Sequence, residues 1–367
     1  MTKVLIDHQK FSTQKYGGIS RYFANILQGM KQVPDFSYKL GVLYCKNHYI
    51  QSEPQLLNNS LGRAIIGRGK EMEKAYNLNR MYCKQLLKKG NFDVFHPTYY
   101  EPYFIGKTSK PTVVTIHDMT YERLPEYFWA HDTLTHEKRL NVERADKIIA
   151  ISQTTKNDLL KYLQVDPDKI TVVYHGIDLE TPLITKPVPG LPEQYILFVG
   201  DRSGYKNFYL FINAFKELSH KHPRLRVVLT GGGGLGIAEK ECLQRLSLED
   251  KVSHVNVTDE ELSYLYQQAL IFVYPSLHEG FGLPILEAFK ASCPMVLSDT
   301  PCFREIATDA AVYFSPYDLD DLIAVLDNAV TDSDMRKELV NRGLVRLQDF
   351  PLRESVKQTL DVYRSLV

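Results

Sequence analysis

Short apolar runs alternate with helical patterns along the chain, and this alternation limits the fold more than any other feature. Several runs, such as Ile271–Tyr274, are continuous apolar stretches, which is typical of parallel strands covered on both faces. Helical patterns such as Ile19–Met30 and Tyr209–Lys221 lie between them. We therefore predict an α/β fold of parallel, doubly wound sheets. The predicted strands are Lys3–Ile6, Val94–His96, Thr112–Ile116, Lys147–Ile151, Thr171–Tyr174, Tyr195–Val199, Arg226–Thr230, Val252–Val257, Ile271–Tyr274 and Met295–Ser298.

The stretch Glu180–Glu193 interrupts this alternation with four prolines and one glycine, a composition typical of a linker. A chain of 367 residues is long enough for two domains. We predict an N-terminal domain over 1–185 and a second domain over 186–350, facing each other across a cleft. A last helix lies in 351–367. The sequence leaves open whether this helix completes the second domain or crosses back to the first.

Charge and cysteine content exclude several classes of protein. The 44 basic and 44 acidic residues cancel, so the net charge favours no nucleic-acid partner. The five cysteines form no Cys-x-x-Cys pair, which argues against a disulfide framework or a zinc site. The N-terminal apolar run is too short for a signal peptide, and no stretch approaches the ~20 apolar residues of a membrane-spanning helix. We expect a cytoplasmic protein.

The stretch SLHEGFGLPILEAF, residues 276–289, is the strongest candidate for a ligand site. It follows an apolar strand, and open α/β sheets bind ligands at the carboxyl ends of their strands. Pro284 suits the first turn of a helix, whose backbone amides can bind an anion. Glu279 precedes the turn, and Glu287 lies about one turn into the helix. The alternative is an ordinary helix start with two solvated glutamates.

The string E-G-F-G-L-P-x-L-E-A resembles the signature of the retaining glycosyltransferases of family 4. These have the GT-B fold of two Rossmann-like domains facing a cleft. Further landmarks of this family occur in order along nearly the whole chain: KYGGISRYFANIL, TIHDMTYERLPE, AISQTTKNDL, VVYHGID, LFVGDRSGYKN and VTDEELSYLY. With its Ser-Leu-x-Glu-Gly-Phe-Gly-Leu-Pro string, the chain resembles the mannosyltransferases of bacterial surface-polysaccharide biosynthesis.

This resemblance implies the reaction and its partners. A hexose, with mannose favoured, would pass from a nucleotide diphosphate sugar to a hydroxyl of a glycan or lipid-linked glycan, with retention of the anomeric configuration. GDP-mannose is the preferred donor, and UDP-glucose or another UDP-sugar is the alternative. The resemblance implies no cofactor and no metal. A rival from another class is a non-catalytic nucleotide-sugar-binding subunit of a glycan-assembly complex, but the intact motif residues favour an enzyme.

The resemblance also assigns roles to residues of the second domain. Glu279 would hold hydroxyls of the transferred sugar, and Glu287 would accept hydrogen bonds from the ribose. Lys206 and Arg202 would neutralise the diphosphate. Many relatives have the arginine where this chain has Asp201, so Arg202 stands one position away from the family position. The alternative is that Lys206 and Arg202 are two solvated cations of the loop. The turn residues Gly280, Phe281, Gly282 and Leu283 would also contact the donor.

Two features of the first domain complete the predicted site. Gly17 and Gly18 precede a helix and would line the donor diphosphate and the acceptor; an ordinary strand-to-helix turn is the alternative. His117 ends the strand TVVTIH and matches the family histidine near the donor sugar, and Asp118 can orient its imidazole. His175 stands where the family often has asparagine, and we interpret it as structural.

The run TGGGGLG contains a literal G-x-G-x-x-G at Gly231, Gly233 and Gly236. Alone it would indicate a dinucleotide-binding dehydrogenase with Glu249 or Asp250 as the ribose acid. That fingerprint normally opens its domain, whereas this run follows the second strand of the second domain. The resemblance instead places Gly231 beside the nucleotide.

Two further segments carry weaker predictions. By resemblance, the backbone at Val257 would hold the nucleobase, while Thr258 or Asp259 caps the helix that follows. The segment 61–90 carries eight Lys or Arg against two Glu, with apolar residues near helical spacing. It predicts either a peripheral contact with the inner face of the membrane or a solvated helix packed on its own domain.

Overall fold

The computed structural model describes residues 1–58, 66, 70–202 and 204–367. The chain divides into two compact units, Met1–His175 with Leu352–Val367, and Gly176–Pro351. The division therefore falls before the proline-rich stretch, whereas we placed it within that stretch. The last helix, which the sequence left unassigned, is grouped with the first unit.

The first unit contains two three-stranded parallel sheets. One has the strand order β2-β1-β3 and the other β4-β5-β6. An isolated parallel bridge between Phe95 and Thr112 connects β3 with the residue before β4. The strands are β1 (Thr2–Ile6), β2 (Phe36–Leu40), β3 (Val94–His96), β4 (Val113–Ile116), β5 (Lys147–Ala150) and β6 (Ile170–Val172).

Helices cover these sheets. The α-helices described in the first unit include α1 (Gln9–Thr13), α2 (Gly18–Lys31), α3 (Glu71–Lys89), α4 (Thr120–Arg123), α5 (Leu134–Arg144), α6 (Gln153–Tyr162) and the C-terminal α14 (Leu352–Arg364). α2 and α14 bury their apolar faces in one core with β1. A Cβ on Gly29 would lie 2.2 Å from Cγ1 of Val356, so only glycine lets α14 pack this closely on α2.

The second unit is built on one six-stranded parallel sheet with the order β12-β11-β10-β7-β8-β9. This is the doubly wound Rossmann order, and it reverses direction between β7 and β10. The strands are β7 (Tyr195–Val199), β8 (Arg226–Thr230), β9 (Val252–Val255), β10 (Ile271–Tyr274), β11 (Met295–Ser298) and β12 (Val312–Phe314). The sheet is covered by α7 (Phe208–Lys221), α8 (Ile237–Arg245), α9 (Asp259–Gln268), α10 (Leu283–Lys290), α11 (Pro301–Ala307), α12 (Leu319–Thr331) and α13 (Ser333–Leu347).

The continuous apolar runs form parallel strands covered on both faces, as predicted, and they lie at the centre of this sheet. β7 and β10 pair in parallel, and Ile196 and Val273 are fully buried on them. α7 packs Phe211 and Phe215 into the same core. Burying each such side chain contributes roughly 1.5–3 kcal/mol. Among the described residues, no helix is both long enough and apolar enough to cross a membrane.

Candidate functional site

Two loops of the second unit meet where the strand order reverses. Nζ of Lys206, in the loop after β7, donates to Oε1 of Glu279, in the loop after β10, at 2.6 Å. The two residues are 73 positions apart. The backbone N–H of Leu277 also donates to the carbonyl of Tyr205 at 2.8 Å. The structure therefore brings two predicted site residues together at the edge where doubly wound sheets bind ligands.

The Lys206–Glu279 ion pair is largely buried, and its side chains keep 13% and 15% of their surface exposed. Burial alone would lower the pKa of Lys206, but the negative charge of Glu279 and its hydrogen bond outweigh burial and raise that pKa above its ordinary value. Lys206 therefore stays positively charged at physiological pH. In the described part of the chain its ammonium group has one hydrogen-bond acceptor, so it can donate to a ligand as well.

A buried tyrosine contacts each glutamate of the motif. The hydroxyl of Tyr274, the last residue of β10, is hydrogen-bonded to Glu279; burial and the charge of Glu279 raise the pKa of this tyrosine well above its ordinary value. The hydroxyl of Tyr266, on α9, lies 3.4 Å from Oε2 of Glu287. Sequence analysis missed both tyrosines. Tyr274 carried a signal, because a polar group ending an apolar strand points to the ligand-binding edge.

The glycine turn between the two glutamates leads directly into α10. Gly282 has a φ of 93°, in the left-handed region that favours glycine. Its added Cβ would lie 3.1 Å from Cδ1 of Ile285. Leu283 then begins α10, so its amide lies in the first turn, where helical amides lack acceptors within the helix. Gly280 and Phe281 are buried, and the Phe281 ring packs edge-on against Phe350.

The structure gives Arg202 protein partners on several sides. Its side chain is 2% exposed, and Nε donates to Oε1 of Glu239 at 2.7 Å. Its two terminal nitrogens donate to backbone carbonyls of the glycine-rich loop: Gly231 at 2.8 Å, Gly233 at 2.8 Å and Gly234 at 3.2 Å. Contact of Arg202 with a donor diphosphate stays a prediction.

The glycine-rich loop packs on the loop after β7. Gly231, Gly232 and Gly233 have φ values of 84°, 66° and 77°. A Cβ on Gly232 would lie 2.6 Å from Cα of Asp201, so this close approach requires glycine. The loop follows β8, the second strand of the unit, and not the strand that opens it. The G-x-G-x-x-G run therefore lacks the context of a dinucleotide-binding fingerprint.

His117 lies directly after β4 in the first unit. Its backbone N–H donates to the hydroxyl of Tyr100 at 3.0 Å. Burial lowers the pKa of His117 well below its ordinary value, and neighbouring His175 lowers it further. The two imidazoles are nearly parallel, with ring centroids 6.2 Å apart. Nε2 of His117 has no hydrogen-bond partner in the described residues, so a neutral ring retains one nitrogen for a further contact.

Asp118 accepts hydrogen bonds through both its side chain and its backbone carbonyl. Its Oδ1 accepts from the backbone N–H of Thr120 at 2.9 Å, and its carbonyl accepts from Nζ of the buried Lys138 at 3.0 Å. The negative charge of Asp118 partly opposes the fall in the pKa of His117. Burial lowers the pKa of His175 to about 3, so this second histidine is neutral as well.

Gly17 and Gly18 form the start of α2. A Cβ on Gly17 would lie 2.5 Å from Cδ of Gln14, so glycine leaves room for the Gln14 side chain. That side chain accepts from the backbone N–H of Ser20 at 3.2 Å. One amide of the first turn is therefore already occupied. Lys15 holds the same loop in place, because its carbonyl accepts from the N–H of His48 at 2.8 Å.

Val257 stands two residues beyond β9 and directly before the capping residue of α9. Of the two candidate caps, Thr258 takes the role: its hydroxyl accepts from the backbone N–H of Glu261 at 3.3 Å. Glu261 accepts in return from the N–H of Thr258 at 2.9 Å. The described part of the chain contains no group of three or more His, Cys, Asp or Glu placed to hold a metal ion.

Two units of parallel sheet are the architecture of the GT-B glycosyltransferases. Two family models match consecutive parts of the chain: "Glycosyltransferase Family 4" over residues 16–181 and "Glycosyl transferases group 1" over residues 183–345. The chain belongs to glycosyltransferase family 4, and it is a glycosyltransferase. The predicted family, fold and enzyme class are confirmed.

Individual relatives agree with this assignment. The O-antigen chain mannosyltransferase RfbU of Salmonella typhimurium is 30% identical over 247 residues, which cover 63% of this chain and 68% of that protein. The O-antigen chain mannosyltransferase B of Escherichia coli is 27% identical, with 74% of each chain covered. Among solved structures, HepE of Anabaena in complex with UDP-glucose is similar over the whole of both chains, with a TM-score of 0.76 at 16% identity.

Proposed function

We propose that this enzyme transfers mannose from GDP-mannose to a hydroxyl of a glycan or lipid-linked glycan and retains the anomeric configuration. The names of the mannosyltransferase relatives support the sugar. The observation that carries the chemistry is the Lys206–Glu279 pair, because it puts a permanent cation and a carboxylate at the ligand-binding edge of the second unit. The reaction would serve polysaccharide biosynthesis.

Lys206 would stabilise the leaving group. As the bond between the sugar carbon and the diphosphate oxygen breaks, negative charge grows on that oxygen. A preorganised cation stabilises such charge more in the transition state than in the ground state. The amides of Gly282 and Leu283, at the start of α10, would add the positive end of the helix dipole.

The glutamates would bind the rest of the donor. Glu279, held by Lys206 and Tyr274, would accept hydrogen bonds from hydroxyls of the mannose. Glu287, beside Tyr266, would accept from the two ribose hydroxyls, since an ionised carboxylate has two acceptor oxygens. With Lys206 and the helix start supplying positive charge, we expect transfer without an added divalent metal and without a cofactor.

The first unit would supply neutral hydrogen bonds. The buried imidazole of His117 would contact a sugar hydroxyl through Nε2, and Gly17 and Gly18 would allow close approach of the substrates. The acceptor oxygen would bond to the sugar carbon on the face that the diphosphate leaves. The acceptor proton would pass to the departing diphosphate oxygen, so no separate protein base is required.

We also propose a cytoplasmic location with peripheral contact at the inner face of the membrane. Of the predicted segment 61–90, residues 61–65 and 67–69 lie outside the described part of the chain. The described helix α3 exposes Met81 on the same face as the basic Lys74 and Lys88, which lie about two turns before and after it. Such a face suits an anionic membrane surface carrying a lipid-linked acceptor.

The test is nucleotide binding followed by product analysis. We would measure the melting temperature with GDP, UDP, ADP, CDP and NAD, first without and then with Mg²⁺. A ligand at about 100 times its Kd should stabilise the protein by about 2.7 kcal/mol. Selective stabilisation by GDP, and an α-mannoside formed from GDP-α-mannose in NMR spectra, would support the proposal. Stabilisation by UDP alone would reject mannose from GDP-mannose, and a β-product would reject retention.

A further inference from the structure

We propose that Arg202 positions the glycine-rich loop Gly231–Gly234, together with Glu239, and is not a ligand of the donor diphosphate. The inference rests on the proposed function, since it assigns a role in shaping the nucleotide side of the donor site. It replaces the expectation that a cation near the family position of Arg202 binds phosphate directly.

The hydrogen bonds of Arg202 account for most of its donors. A guanidinium group has five N–H groups. Four hydrogen bonds join it to one carboxylate oxygen and to three carbonyls of the same loop. Its side chain is almost completely buried beneath the loop, whereas residues Gly231–Gly234 are themselves exposed. A diphosphate would therefore have to displace contacts that already satisfy this group.

The loop needs such support. Its run of four glycines has no side chain to pack, and fixing the backbone of each residue costs conformational entropy. Three of the glycines occupy the left-handed region that few other residues adopt. Arg202 binds the carbonyls of the first, third and fourth glycine, so a single side chain determines the direction of the whole turn.

Glu239 extends this arrangement to the following helix. Its Oε1 accepts from Arg202, and its Oε2 accepts from the backbone N–H of Gly236 at 2.7 Å, at the start of α8. The carboxylate also offsets the positive charge of Arg202. Nε2 of His254 lies 3.2 Å from the carbonyl of Gly231 and adds a contact from the end of β9.

Comparing nucleotides of different charge separates a positioning role from phosphate binding. We would measure the Kd of GDP and GMP by calorimetry for the wild type, Arg202→Ala, Glu239→Ala and Lys206→Ala. If Arg202 positions the loop, Arg202→Ala should lower the affinities for GDP and for GMP by the same factor, about tenfold. Glu239→Ala should reproduce this pattern. Lys206→Ala should instead lower the affinity for GDP at least about tenfold more than the affinity for GMP.

Arg346→Ala is the matched control. Arg346 lies in the same unit and also donates to two backbone carbonyls, those of Glu305 and Ile306, and to the carboxylate of Asp349. Its loss should leave both nucleotide affinities unchanged. If Arg202→Ala fails to fold, Arg202→Lys and Glu239→Gln are measured in its place, because both keep a polar side chain. Each should lower the affinities for GDP and GMP by equal factors, and by less than the alanine variants do.

Two results would overturn the inference. One is a loss of GDP affinity in Arg202→Ala with GMP unaffected, because this identifies a diphosphate ligand. The other is unchanged amide hydrogen exchange over residues 231–236 in Arg202→Ala and Glu239→Ala. Exchange that is faster there and unchanged elsewhere supports the positioning role. This exchange result supports the positioning role even if the wild type binds neither GDP nor UDP. Failure to bind either nucleotide would count against the proposed donor and not against the role of Arg202.

Discussion

The predicted site residues of the two units differ in charge. Those of the second unit include an ionised pair, Lys206 and Glu279, and a further carboxylate, Glu287. The first unit contributes His117, which burial keeps neutral beside an equally neutral His175. All of these lie beyond the carboxyl ends of parallel strands, so the topology is shared and the surroundings decide the chemistry. Under the proposed function, the second unit would stabilise charge and the first would supply neutral hydrogen bonds.

The largest effect is expected at Lys206. Lys206→Ala should lower kcat/KM by about 10²–10³-fold, because it removes the cation that we propose stabilises the leaving diphosphate. Steady-state transfer rates measure this change. Lys206→Arg is the control that keeps the positive charge and should retain part of the activity. A near-normal transfer rate for Lys206→Ala would show that stabilisation of the leaving group does not depend on this ion pair.

Glu279→Ala should lower transfer by about 10²-fold, because we propose that the carboxylate orients the sugar that is transferred. The affinity for GDP, which lacks that sugar, should stay within about threefold of wild type. Calorimetry with GDP and GDP-mannose separates the two contributions. An equal loss of affinity for both ligands would show that Glu279 acts only through Lys206.

Acid should destabilise the protein through its first unit. Because burial holds the pKa values of His117 and His175 below that of an exposed histidine, the unfolded chain binds more protons once the pH falls below about 6.5. The contribution of each histidine to the free energy of unfolding is fully present above that pH. Below it, this contribution falls by about 1.4 kcal/mol per pH unit. This loss continues until the pH reaches the lowered pKa of the folded state.

Melting temperatures from pH 7.5 to 5 test this linkage. His175→Asn should show a shallower fall than the wild type, because it removes one of four histidines of the first unit whose pKa burial lowers; the others are His8, His96 and His117. His220→Asn, which changes an exposed histidine of the second unit, is the control and should follow the wild-type curve. Identical curves for His175→Asn and wild type would contradict a neutral His175 in the folded state.

The smallest effect is expected at Tyr274. Tyr274→Phe removes the hydroxyl that is hydrogen-bonded to Glu279 but keeps the buried ring. Loss of one such hydrogen bond should lower kcat/KM by about threefold to tenfold, since Lys206 still holds the carboxylate. Tyr195→Phe is a matched control, because the Tyr195 hydroxyl donates to the carbonyl of Leu265 and not to a site residue. A Tyr274→Phe loss as large as that of Glu279→Ala would make the tyrosine the main support of the carboxylate.

The strands that could be predicted are those whose local pattern is unambiguous. β7 and β10 are continuous apolar runs, β8 has an apolar centre, and the structure places the three side by side. β2 and β12 were missed because they mix polar or partly exposed residues with apolar ones; both also lie at sheet edges, where other strands were nevertheless predicted. An edge strand has only one neighbour and one protected side, so its sequence carries a weaker signal.

The site residues divide in the same way. Glu279, Glu287 and Lys206 stand in linear motifs and could be selected from the sequence. The hydroxyl of Tyr266 beside Glu287 depends on how α9 packs against α10, which no local pattern encodes. The direction of Arg202 depends on a loop about 30 residues further along the chain. Long-range contacts of this kind could not be predicted without the fold.

The contact between Gly29 and Val356 has a consequence for synthesis on the ribosome. The second unit is one continuous segment, Gly176–Pro351, and can fold as soon as it has emerged. The first unit lacks α14 until every residue of the second unit has been made. During that interval the face of α2 that α14 covers is open, and with it Phe23 and Ile26 of the shared core. The nascent chain is therefore expected to keep an apolar surface of α2 exposed until α14 has been made, and a chaperone that binds apolar helices would act on α2.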